Sequence, residues 1–141
     1  MSEILTNKLT GTSTAGNVTV TSEGGAATMQ LQQGLAKAWA SIDQTSTGHP
    51  VYDSLNVSAT ADIAAGTTKV SFSNALSNAN YSLSGVGQTR DHSGANLGLW
   101  GKSTVSSRQM TTADFHTRNV SSGGVDTDIT YFGFAAHGDL A

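Results

Sequence analysis

The chain has 141 residues, enough for one domain with its own core plus an attachment segment and too few for two independent domains. Charged residues are 12% of it, against about a quarter in typical soluble domains, and seven Lys and Arg stand against ten Asp and Glu with no basic cluster, so nucleic-acid binding lacks its electrostatic footprint. There is no cysteine, which excludes disulfides and thiolate metal sites, and no run of about 18 apolar residues that would cross a membrane.

Low charge combined with recurrent Val, Leu, Ile, Phe, Tyr and Trp argues for a folded chain. Gly, Ser, Thr, Asn and Ala fill the remaining space and suit short strands and turns. The N-terminal Met1-Ser2-Glu3-Ile4 has no basic segment leading into an apolar one, so no signal peptide is expected and synthesis in the cytoplasm follows.

The first 27 residues scatter Leu5, Leu9, Val18 and Val20 among Thr, Ser and Gly, with turn signals at Thr10-Gly11, Ala15-Gly16 and Gly24-Gly25. Such a stretch buries too little by itself and must lie on its own domain or a neighbouring chain. From Thr28 to Asp43, Leu31, Leu35, Ala38 and Ile42 fall four, three and four residues apart, which predicts a short amphipathic helix capped by Thr28 and flanked by Trp39. Gly34 is its weak point, costing about 1 kcal/mol relative to Ala. The stripe suits a helix packed on its own β domain or a coiled-coil-like seam at a symmetry axis.

After the loop Thr45 to Pro50, alternation takes over: Leu55, Val57 and Ala59, then Val70 and Phe72, then Tyr81 and Leu83. Further strands are predicted at Leu97 to Lys102, Gln109 to Asn119 and Ile129 to His137. Short strands at this spacing predict an antiparallel β-sandwich or barrel. The last strand reads as apolar on both faces, with Tyr131 on one and Phe132 and Phe134 on the other, as expected of a strand central in a core or pressed against another subunit. The expected organisation is an N-terminal attachment arm and helix over 1–45 and a displayed β-sandwich over 46–141.

Catalytic and metal templates fail one by one. His49, His92, His116 and His137 form no His-x3-His or His-x-His pair, and each reads as a turn or surface histidine. There is no Gly-x-Ser-x-Gly elbow, and the only glutamates, Glu3 and Glu23, lie in the arm, far from the paired carboxylates of a glycosidase. Asp126-Thr-Asp128 lacks the frame of a calcium loop. Asn17, Asn56, Asn80 and Asn119 open glycosylation sequons, which in a chain so rich in Asn, Ser and Thr read as polar faces of strands. No enzyme activity, cofactor or metal is expected.

The segment Gln88 to Asn96 gathers Arg90, Asp91 and His92 just before Trp100. An exposed aromatic beside hydrogen-bonding groups suits stacking on a sugar face, while a buried core tryptophan is the plainer reading. His116 and Arg118, two apart on a strand, would share a face and extend such a surface or merely solvate it.

The opening Met-Ser-Glu-Ile-Leu-Thr-Asn-Lys-Leu-Thr-Gly-Thr-Ser-Thr-Ala-Gly, the segment Leu31-Gln-Gln-Gly-Leu-Ala-Lys-Ala-Trp39, Asp53-Ser-Leu-Asn-Val-Ser58, Val70-Ser-Phe, Asn78-Ala-Asn-Tyr81 and the ending Gly138-Asp-Leu-Ala141 resemble short tail-fibre-like virion proteins of marine tailed bacteriophages. Phe134-Ala-Ala-His-Gly138 is also similar, over fewer residues, to the last strand of H-type lectin sandwiches. The resemblance, with the extended arm, the helical stripe and the last strand, leads to the expectation of a homotrimeric virion appendage anchored to other virion proteins through its arm, with Leu31, Leu35, Ala38, Trp39 and Ile42 in attachment and oligomerisation. Host-surface polysaccharide is the expected ligand, with Arg90, Asp91, His92, Trp100, His116 and Arg118 as the candidate contacts. A capsid-decoration protein is the alternative, favoured by the absence of a long shaft, and a glycan-degrading enzyme is a more distant one.

Overall fold

The computed structural model describes residues 5–10, 18–21, 24–25, 27–31, 34–88, 110–119 and 125–141. They fall into two compact units, Met1–Leu35 and Ala36–Ala141. In chain order the strands are β1 (Thr19–Thr21), β2 (Thr28–Gln30), β3 (Ala38–Ile42), β4 (Val51–Leu55), β5 (Val57–Ala64), β6 (Thr67–Phe72), β7 (Ser82–Gln88), β8 (Asp114–His116) and β9 (Tyr131–His137).

The N-terminal unit holds the β1–β2 hairpin, with Val20 opposite Met29. Gly24 and Gly25 turn it, with φ of 89° and 73° that glycine adopts without steric cost. All six strand residues are exposed.

The second unit is mainly β and sandwich-like. One antiparallel sheet has the order β4-β3-β9-β7 and the other β5-β6-β8. Alternation decides which side chains meet between them. From the first sheet come Ala38, Ala40, Ile42, Phe132, Phe134 and Ala136, and from the second Val70, Phe72 and Phe115, all buried and joined by Leu76, Tyr81 and Ile129. Phe115 and Phe134 touch across the sheets edge to face, their centroids 4.8 Å apart at 77°, the arrangement favoured by the ring quadrupoles.

The helix expected over Thr28 to Asp43 is not formed. Thr28–Gln30 is β2 and Ala38–Ile42 is β3, and no helix occurs among the described residues. β3 pairs on both sides, with β4 and β9, and its residues alternate between buried and open. The four-three-four spacing was a coincidence of an alternating segment and an exposed Leu35. Residues 36–45 therefore belong with the sandwich and not with the arm.

The segment predicted as one strand around Leu55 to Ala59 is two strands in different sheets. Asn56 makes the corner with a φ of 57°, which Asn tolerates better than most residues. Its side chain is tied to Asn74, accepting from the Asn74 N–H at 2.7 Å and donating to the Asn74 carbonyl at 3.0 Å. β9 is also less two-sided than expected: Phe132, Phe134 and Ala136 are buried while Tyr131 on the opposite face is exposed.

One end of the sandwich is filled by polar side chains. Gln44 Nε2 donates to Thr68 Oγ1 at 2.7 Å, and Asn119 Nδ2 donates to Gln44 Oε1 at 2.6 Å. Thr68 Oγ1 lies 2.7 Å from His49 Nδ1 and has its own hydrogen to give to it. Thr117 Oγ1 accepts from the Thr68 N–H at 3.0 Å. Gln44, His49, Thr68, Thr117 and Asn119 are all fully buried, so His49, which closes the turn from Ser46 as a turn histidine would, is not at the surface, nor is Asn119 on an open polar strand face. Beside them the β5–β6 turn at Gly66, φ 68°, packs so closely that a Cβ would collide with the backbone of Asn119 and Thr127.

Three outcomes follow for denaturant unfolding of the chain. Thr68→Val strands both Gln44 and His49 and is expected to cost roughly 1–3 kcal/mol, whereas Thr67→Val removes a buried hydroxyl that has no partner among the described residues and is expected to be neutral or stabilising. Gly66→Ala adds a left-handed backbone penalty to the collision and is expected to cost roughly 2–4 kcal/mol.

Candidate functional site

With Ala40, Phe132 and Phe134 turned inward, the pairing registers set which residues share the outer face of the four-stranded sheet. Trp39 stands opposite Leu55 on one side and Ala135 on the other, Ser41 opposite Asp53 and Gly133, and Gly133 opposite Val86. The floor is therefore made of small residues: Ser41, Ser84, Gly133 and Ala135. The rim is made of large ones. Trp39, Leu55, Val86 and Tyr131 are exposed on this face, as is Tyr52, which a register shift between Ser41 and Ile42 leaves as an extra residue on β4.

Over this floor lies an open trough of about 460 Å³, lined by Ser84, Gly85, Val86, Gly133 and Ala135 together with Ala40 and Phe134. Two residues before Gly133 on β9, the Tyr131 ring adjoins that of Tyr52, with centroids 5.9 Å apart and planes inclined by 31°. Tyr52 and Tyr131 are 56% and 52% exposed, so each presents much of its ring to solvent.

Asp43 supplies a fixed anion beside the pair. Its carboxylate accepts from Thr45 Oγ1 and Ser46 Oγ, both at 2.7 Å, and from the Thr45 N–H at 2.8 Å. The hydrogen bonds from Thr45 and Ser46, with a further one from the Tyr52 hydroxyl, outweigh partial burial and hold its pKa at about 2. The Tyr52 phenol moves the opposite way, raised by partial burial and by the charge of Asp43.

Cations are absent from the four strands of this sheet, which carry Asp53 and His137 as their only titratable groups besides tyrosine. Charge gathers on and beyond the other sheet. Lys69 Nζ is 3.0 Å from Asp114 Oδ2, and Arg118 Nε is 2.7 Å from Asp126 Oδ1. Burial pushes the Asp114 carboxyl up, but the hydrogen bonds from Lys69 and Thr111 and the charge of Lys69 leave it lowered.

The residues singled out in the sequence separate accordingly. Arg90, Asp91, His92 and Trp100 lie outside the described residues, as does the strand predicted at Leu97 to Lys102. His116 and Arg118 alternate with the buried Phe115, Thr117 and Asn119, away from the trough and with Arg118 engaged by Asp126. Of the expected seam, Ala38 and Ile42 are wholly enclosed in the chain's own core and cannot meet a sister chain; Leu35 and Trp39 are exposed. Sequence reasoning missed Tyr52 and the outward role of Trp39 and Tyr131. Reading Ala38-Trp-Ala-Ser-Ile42 as an alternating strand would have found Trp39. Among the described residues no group of three or more His, Asp or Glu side chains could hold a metal ion.

No family model matches the chain, and no curated protein or solved structure matches it either.

The Asp43 geometry sets an acid dependence. Because folding lowers this pKa from 3.8 to about 2, the stabilisation is present above the ordinary carboxylate range and is lost as pH falls through about 2. Thermal melts are expected to show Asp43→Ala a few degrees below the parent at pH 7, with the gap narrowing as pH drops from 3.8 towards 2; a gap that does not change over that window counts against the assignment.

Proposed function

We propose that the chain is a non-enzymatic structural and binding module of a phage particle, a short fibre- or knob-like appendage that contributes to recognition of host-surface glycan. The observation that carries the binding half is the outer face of the four-stranded sheet, where Trp39, Tyr52 and Tyr131 stand exposed around a floor of small residues. Aromatic rings offer flat apolar contact to the C–H face of a sugar, while serine hydroxyls and carboxylates accept or donate to its hydroxyls.

The phage half rests on the resemblance of the N-terminal, central and C-terminal segments to short virion proteins. The N-terminal unit suits attachment to other virion proteins, since Leu5, Leu9, Val20 and Met29 are exposed within it and so small a hairpin is marginal alone in water. Self-association as a homotrimer belongs to the same reading. Capsid decoration is the second reading, favoured by Leu55 and Val86, which widen the face into an apolar surface that another protein could cover.

Particles lacking the protein separate the two. A recognition module predicts loss of adsorption, and purified chain that adheres to host cells and releases no new reducing ends from host polysaccharide. Tyr131→Ala is expected to weaken that adhesion without lowering the melting temperature. Normal adsorption with reduced tolerance of heat would instead assign decoration. Light scattering at micromolar concentration is expected to give a trimer, and a sharp monomer would remove the self-association claim.

A further inference from the structure

The four-stranded sheet has two edges, and they differ. β4 is five residues long, follows Pro50, carries Asp53 and breaks register with β3 between Ser41 and Ile42. Such features are the devices by which natural edge strands avoid pairing with other chains. β7 has none of them. Its seven residues, Ser82-Leu-Ser-Gly-Val-Gly-Gln88, include no charge and no proline, and they pair with β9 without a register shift from Ser82 opposite His137 to Gln88 opposite Tyr131. Among the described residues no strand pairs with the other side of β7. The edges of the three-stranded sheet are guarded as well: β5 carries Asp62 and two register shifts, and β8 has only three residues, one of them Asp114.

Two properties fit the β7 edge to the β4 edge of another copy. Strand direction alternates through β4, β3, β9 and β7, so β4 and β7 run in opposite senses, and a second copy's β4 laid beside β7 continues the alternation. Each edge also carries one large aliphatic residue on the outer face, Leu55 on β4 and Val86 on β7, 49% and 71% exposed. Joining the edges brings these two side chains to neighbouring positions and covers both. The contact is selective. β4 laid in full overlap against another β4 would set two Asp53 carboxylates opposite one another, whereas β7 offers Asp53 no like charge. β7 against β7 is a two-fold contact, and it cannot close a ring of three.

We propose that β7 of one copy pairs with β4 of the next, head to tail, and that three such joints form the homotrimer. The proposal rests on the homotrimer part of the reading above and names its interface. A ring of this kind leaves the four-stranded sheet without a free edge. It also completes the trough. Ser84, Gly85 and Val86 line the side of the trough that lies at the β7 edge, so Leu55 of the neighbouring copy adds a wall that one chain does not supply.

The test is light scattering and sedimentation of the full chain at micromolar concentration, with a lysine placed on each edge in turn. Val86→Lys and Leu55→Lys are each expected to raise the dissociation constant of the trimer about tenfold or more, with far-ultraviolet circular dichroism unchanged. Mixed in equal amounts, the two variants are expected to recover association that neither shows alone. The β7 of the Leu55→Lys chain and the β4 of the Val86→Lys chain still make one intact joint. Should either lysine variant not fold, Val86→Ser and Leu55→Ser take their places. A trimer that either variant leaves intact overturns the proposal and keeps the homotrimer reading, and so does a mixture that recovers nothing. A parent dimer that Leu55→Lys leaves intact assigns β7 to a two-fold contact with itself and overturns the proposal. A monomeric parent removes the proposal and the homotrimer reading together, and slow amide exchange along β7 in that monomer would assign the edge to other residues of the same chain.

Discussion

Phe134 is where the two sheets of the sandwich are held to one another and where the outer face is decided. Its ring meets Phe115 of the opposite sheet and Phe132 two residues away on its own strand, while its backbone neighbours are Ala40 and Gly85. The small partners make room for the large ring, as close packing demands. A strand has a period of two, so fixing Phe132 and Phe134 inward fixes Tyr131, Gly133 and Ala135 outward. A slip of one residue would expose two phenylalanines and bury the trough. Core and candidate site are thus two sides of one register.

The shortage of charge in the composition has a structural counterpart. Where a more usual domain would place ion pairs at the mouth of the core, this one encloses amides and hydroxyls: Asn119 donates to Gln44, Gln44 to Thr68, and Thr68 also meets His49. Such a network is stable only when nearly every member is paired. Asp62 lies 3.6 Å from His49 Nε2 and is half exposed, so the chain of contacts ends at solvent. Polarity inside is carried by neutral groups, and the lysine and arginine ion pairs among the described residues, Lys69 with Asp114 and Arg118 with Asp126, lie on and beyond the three-stranded sheet.

Alternation made the strands legible wherever one face is buried and the other open. Val70 with Phe72, and Phe132 with Phe134, were recognisable from spacing alone. The failures have physical causes. Leu31, Leu35, Ala38 and Ile42 satisfy a helical period only because Ala38 and Ile42 are even-numbered members of an alternating strand and Leu35 is an exposed residue before it. Ala, as the smallest inward residue, gives a hydropathy pattern too weak to advertise that strand. Asn56 breaks a seemingly continuous run because its left-handed conformation sends the chain from one sheet to the other, and no hydrophobic period registers a change of sheet. The candidate site was the least legible part. A trough assembled from β3, β4, β7 and β9 exists only once non-neighbouring strands pair, whereas a cluster such as Arg90 to His92 is conspicuous simply by being contiguous.

Moving the boundary from residue 45 to Leu35 changes what the two parts of the chain can do. β1 and β2 have three residues each, all exposed, and a two-stranded hairpin of that size is marginal by itself. Its apolar side chains gain most by burial against a surface outside the hairpin. Ala36–Ala141, by contrast, encloses its own aromatic core and has no such need. Trp39 passes with this boundary from the attachment arm to the sandwich, where its two neighbours Ala38 and Ala40 are committed inward and it alone is free to face out. A tryptophan held rigidly by a central strand loses little conformational freedom when it meets a ligand. That is a property of a recognition surface and is of no use to a seam whose other members are already buried.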